Sequence, residues 1–193
     1  MYSGLELQLT NSPGLRGWAG LAILSLALAG IFALLLAVSR IPGIENVLLW
    51  PLDFFNKGLV IHVVFSFVVW FLSVFGAILS IATVRLGGSS GSLEKILLVI
   101  AYLSTVMLFA PSFMNRGEAT LNNYIPAITD PLYYSGLVAL GGTLGVMALR
   151  LFIVFLASKE RWPEFFCFGA LVAAFLYLLA LTVFTITGLS LAG

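Results

Sequence analysis

Five apolar stretches, separated by shorter polar ones, organise this chain. Residues 17–39 carry no charge and end at Arg40, and residues 58–84 hold one ionisable side chain, His62, before Arg85. Residues 96–113 follow Glu94 and Lys95, residues 132–158 are interrupted only by Arg150, and residues 165–191 carry no charge. A membrane-crossing helix needs roughly 20 apolar residues. The pattern therefore predicts an all-α polytopic bundle of about five transmembrane helices, forming a single membrane domain over residues 1–193 without repeats. Residues 87–92 (GGSSGS) read as a flexible turn. The segments 41–56, with Pro42, Gly43, Trp50 and Pro51, and 114–131, with Asn122, Asn123, Pro126, Asp130 and Pro131, are longer than tight turns. Both are expected to fold over the bundle as caps.

Composition sharpens this picture. Of the 193 residues 61% are hydrophobic and only 9% charged, where a soluble domain carries about 25%. Lipid is the solvent that such a surface tolerates. A net charge of +1 argues against a nucleic-acid partner, which needs clustered cations to neutralise phosphates. The lone cysteine, Cys167, excludes an intrachain disulfide and reads as a small apolar filler. Residues 1–13 have neither a basic n-region nor an apolar h-region, so no cleaved signal peptide is expected. Six of the nine Lys and Arg residues (Arg16, Arg85, Lys95, Arg150, Lys159, Arg161) fall on one side, three (Arg40, Lys57, Arg116) on the other. The richer side marks the cytoplasm. The N-terminus is then cytoplasmic, and both long loops lie outside. Trp18, Trp50 and Trp162 fall near the expected interfaces, where aromatic rings are favoured.

The candidate chemistry is concentrated in one residue. His62 is the only histidine, roughly 7 Å along the second helix from Lys57. An ionisable group within a span is a functional-site candidate by default, and neutral imidazole is a good axial ligand for haem iron. The plainer reading is an imidazole bonded to a neighbouring carbonyl. Ser66, Val69, Ser73, Gly76, Ala77 and Ser80 follow His62 at three- and four-residue spacing and make a small, slightly polar face. Such a face admits another helix or a flat cofactor. Ala22, Ala29, Gly30, Ala33 and Ala37 form a similar seam on the first helix, and Gly141 and Gly145 mark packing on the fourth. Arg40 and Lys57, at the level of His62, suit haem propionates or plain interfacial anchoring. Trp70 lies roughly 20 Å beyond Lys57 and is expected in the core or against a ring. Met107 and Met114 are the thioethers nearest in depth to His62. No phosphate loop, paired intramembrane carboxylate or Ser-His-Asp set is visible.

Three segments resemble subunit I of the haem–copper oxidases. FFNKGLVIHVVFSFVVWFLSVFGAIL, residues 54–79, is similar to that family's second transmembrane helix. GWAGLAILSLALAGIFALLLAVSR resembles the first helix of its cbb3-like and ba3-like branches, and NNYIPAITDPLYYSGLVALGGTLG the loop and fourth helix. The resemblance implies a low-spin haem b near the outer face, with His62 as axial ligand and Arg40, Lys57 and Ser66 around it. It also implies electron transport in a bacterial inner membrane. The copper-binding histidines of that family have no counterpart here, so no copper is expected, and the chain is at most part of an oxidoreductase. Low-spin haem takes two axial ligands. A two-fold homodimer, His62 from each copy, is the simplest supply, with the small face of the second helix lining the interface. The alternatives are a cofactor-free accessory or assembly subunit of a larger respiratory complex, and a split catalytic subunit completed by a second chain. A transporter ranks below these, because no broken helices or midplane polar sites stand out.

Overall fold

A computed structural model describes residues 12–44, 54–89, 91–114, 116–121, 126–158 and 163–192, without side chains from residue 188 on. Helix α1 is Pro13–Val38. The second span is composite: α2 (Phe54–Val63), a π-helical stretch (Val64–Val69) and α3 (Trp70–Arg85). Helix α4 (Ser92–Phe109) tightens into a 3₁₀ turn (Ala110–Phe113). A two-stranded antiparallel hairpin, β1 (Ala119–Thr120) and β2 (Ala127–Ile128), leads into α5 (Pro131–Ala157), and α6 (Phe165–Ala192) follows. Among the described residues five helices are thus long and apolar enough to cross a membrane, as the apolar pattern predicts. Phe67, Phe71, Val138, Leu156, Phe175 and Phe184 are large apolar side chains left exposed, a surface suited to lipid rather than water.

The helices fall into two compact units. The first holds the start of α1, most of α3, the start of α4, the later part of α5, and α6. Its core is built around Trp18, Leu79, Leu144 and Leu151. Trp18 is fully buried, not an interfacial anchor as its position in the sequence suggested. The reason is Gly76: a Cβ there would stand 2.5 Å from the indole, so only a glycine leaves room for the ring. Gly76→Ala is expected to destabilise the protein by about 1–3 kcal/mol through overpacking, read as an earlier unfolding midpoint in detergent. Val69, Ser73, Gly76 and Ser80 are buried. The Gly76–Ser80 part of the small face of the second span is thus already covered by α1 and α4, and it does not line an interface between copies. Gly141 and Gly145 do mark packing, with Tyr177 and Leu181 of α6 against them. The Tyr177 hydroxyl donates to the Gly141 carbonyl at 2.8 Å. Cys167 is buried, as a small apolar filler would be.

The second unit holds the rest of α1, α2 with the π-helical stretch and the first turn of α3, most of α4, the hairpin and the start of α5. Phe32, Phe65, Phe109 and Phe113 form an aromatic cluster, with Phe32 and Phe109 edge to face at 5.6 Å. Trp70 is exposed on the surface of the second span, a correction to the expectation that it lies in the core or against a ring. The π-helical stretch explains part of this. It inserts a wider turn ahead of Trp70, whose N–H bonds to the Phe65 carbonyl, and it rotates everything beyond it away from an unbroken α-helical register. Residues 114–131 do fold back as a hairpin where described. Most of the segment 41–56, with Trp50 and Pro51, and Asn122, Asn123, Lys159, Arg161 and Trp162 lie outside the described residues.

Candidate functional site

His62 is the next-to-last residue of α2 and is half-buried. Its Nδ1 lies 2.9 Å from the backbone carbonyl of Ala29 on α1. A carbonyl offers no proton, so Nδ1 must be the donor. In a neutral imidazole the lone pair then sits on Nε2. A ring nitrogen is presented in this way when histidine binds a metal, with its other N–H held by a carbonyl or carboxylate. The contact is also what the plainer reading of His62 anticipated.

The small residues of the α1 seam have a consequence here. Ala33, Ala37 and Leu36 on one side, and Leu59 and Phe55 on the other, leave an open recess of about 430 Å³ that His62 and Arg40 also line. That volume falls within the range of about 300–1,000 Å³ usual for ligand pockets. Arg40 is exposed just beyond the end of α1, and its guanidinium stacks 5.1 Å from the centre of the Phe55 ring. The recess is thus apolar along its walls, with one imidazole and one guanidinium.

The other two expected site residues are placed differently. Lys57 is buried, and its ammonium donates to the carbonyls of Met114 at 2.9 Å and Arg116 at 3.1 Å. These bonds engage it in holding a loop, and it is not among the residues lining the recess. The Ser66 hydroxyl donates to the carbonyls of His62 at 2.7 Å and Val63 at 3.2 Å, where the π-helical stretch begins. Ser66 therefore acts on the backbone around His62, satisfying carbonyls that the wider turn loosens. Met107 is half-buried on α4, and Met114 engages Lys57 through its carbonyl rather than its sulfur.

Two polar clusters escaped the sequence reading. In the second unit, buried Asp130 accepts a 2.8 Å ion pair from Arg116 and a 2.8 Å bond from the Leu132 N–H, capping α5. The signal for this was present: Asp immediately before Pro131 is a helix-start signature. In the first unit, buried Glu94 near the start of α4 accepts from the Ser80 hydroxyl and lies 3.6 Å from the Arg150 guanidinium. That guanidinium also donates to the Ser89 carbonyl. Arg150 thus reaches toward a helix end and finds a buried partner there.

No family model and no solved structure matches the chain. An uncharacterized protein of Aquifex aeolicus (strain VF5) is 34% identical over 119 residues, covering 62% of this chain and 29% of that protein. An uncharacterized protein of Rickettsia prowazekii (strain Madrid E) is 27% identical over 166 residues, covering 75% of this chain and 32% of that one. The chain spans about a third of the length of the curated relatives it matches.

Proposed function

We propose that this chain is a haem-binding membrane protein serving electron transfer, with His62 as an axial ligand of a b-type haem. The observation that carries this reading is the bond between His62 Nδ1 and the Ala29 carbonyl. It fixes the tautomer and turns the lone pair of Nε2 outward from that bond, the form iron requires. The recess beside the ring supplies a flat approach along Ala33 and Ala37, and Arg40 a cation for a propionate. A haem, when bound, supplies a reversible one-electron couple. The chain's own residues hold the imidazole, line its approach with leucine and phenylalanine, and balance an acidic substituent. Lys57 has no such part in this proposal, because its donors are engaged elsewhere.

The resemblance to haem–copper oxidase subunit I supports the same reading. The Lys and Arg distribution is in keeping with it, since a cytoplasmic N-terminus would set His62 near the outer face of the membrane. The second axial ligand comes from His62 of a second copy or from a larger respiratory complex. If from a second copy, the shared surface is the recess side of α2. The engagement of Lys57 with backbone carbonyls, which leaves it no part in holding a haem, favours the other reading, a cofactor-free accessory or assembly subunit.

The visible spectrum separates the two. The purified wild type should show haem absorption bands, and His62→Ala should lose them while keeping its helical content. A folded, colourless wild type would establish the accessory reading, and full haem retention in the variant would remove His62 from the site.

A further inference from the structure

We propose that Lys57 is a positioning residue for His62: its buried ammonium locks the helix that carries the imidazole and holds that ring in register with the Ala29 carbonyl. The inference rests on the reading that His62 is the working group of the chain.

The helix concerned is short. Helix α2 is ten residues long and gives way to the π-helical stretch directly after Val63. A π-helical turn does not continue the register of an α-helix, so α3 does not by itself dictate how α2 is rotated. Something on α2 must set its rotation, and Lys57 has the required contacts. It is 2% exposed, and a lysine buried to that degree needs its N–H groups bonded. Two of them are bonded, to Met114 and Arg116.

The loop they reach is itself anchored. The Arg116 guanidinium holds Asp130 at 2.8 Å, and Asp130 caps the start of α5. A continuous relay therefore runs from the α5 N-terminus through Asp130, Arg116 and Lys57 to α2, and through His62 to α1. Lys57 and His62 are five residues apart, which places them about 140° apart around the helix axis. The two contacts thus grip α2 from different sides, and neither can shift without moving the other. Turning α2 by about 20° would carry the imidazole about 2 Å sideways, on helix dimensions, enough to break its 2.9 Å bond to Ala29.

A single histidine makes this testable on the intact chain, because ¹⁵N-histidine labelling reports one ring. In lipid nanodiscs without added haem, the wild type should show a protonated Nδ1 and a bare Nε2. Lys57→Met should lose the Nδ1–H signal, giving the other tautomer or a mixture at unchanged helical content. Thr120→Ala, which removes only a hairpin bond to the Ala127 carbonyl, should leave the signal as in the wild type. A folded Lys57→Met with the wild-type ¹⁵N pattern overturns the proposal, as does a wild type protonated at Nε2. Should Lys57→Met fail to fold, Arg116→Gln decides. The Gln amide still offers Asp130 a donor, so the buried carboxylate is not left bare, while the lost charge loosens the same relay: a weakened Nδ1–H signal supports the proposal and an unchanged one overturns it. A colourless wild type defeats the haem reading alone, because the ring's tautomer is read without haem.

Discussion

Glu94→Ala is expected to lower stability by about 3–5 kcal/mol, the usual consequence of removing one partner from a buried ion pair. Glu94 is 2% exposed, and its carboxylate joins Ser80 of α3 and Arg150 of α5 to the start of α4. It also presses against Gly14 in the first turn of α1, where a Cβ would collide with it. Four helical segments meet at one carboxylate. Without it, Arg150 keeps the Ser89 carbonyl as its partner among the described residues, and the Ser80 hydroxyl loses its acceptor. The double variant Glu94→Leu/Arg150→Leu should cost much less than the two single changes together, because apolar replacement of a whole buried pair is often close to neutral. Equilibrium unfolding in mixed micelles measures all three. Strict additivity, or a single-variant loss under about 1 kcal/mol, would show that the pair behaves like a solvated surface bridge.

Asp130→Ala should cost about 2–4 kcal/mol, combining a lost helix cap with a lost charge-assisted bond. The carboxylate is buried and uses separate oxygens for separate tasks: Oδ1 accepts from the Leu132 N–H, and Oδ2 faces Arg116. Asp130→Asn tests this division. Asparagine caps as well as aspartate, so it should recover roughly half of the loss while leaving Arg116 without its ionic partner. Equal damage from both substitutions would mean that the ion pair alone matters, and no damage from Asn that only the cap does.

These clusters show where a sequence stops being informative. The apolar runs located all five spans to within a few residues, because a long uncharged stretch has no stable place except lipid. The same counting placed His62 at the second span, marked Asp130–Pro131 as a loop end and read Gly141 and Gly145 as packing positions. It set Trp18 near an interface and Trp70 in the core or against a ring, however, whereas Trp18 is fully buried and Trp70 is exposed on its helix. Depth along a helix follows from residue count, but facing depends on rotation, and the π-helical stretch alters rotation without any residue type that announces it.

What the chain's residues determined alone is its solvent and its segmentation: transfer of apolar side chains into lipid is local and additive, so it can be summed along a sequence. Partnership is not local. That the Lys57 ammonium meets two backbone carbonyls instead of an acid, that Glu94 finds Arg150, and that Ala29 supplies the acceptor for His62 depend on which helices lie side by side within each unit. Directional bonds between residues 33 to 59 positions apart exist only once tertiary packing has brought donor and acceptor within about 3 Å.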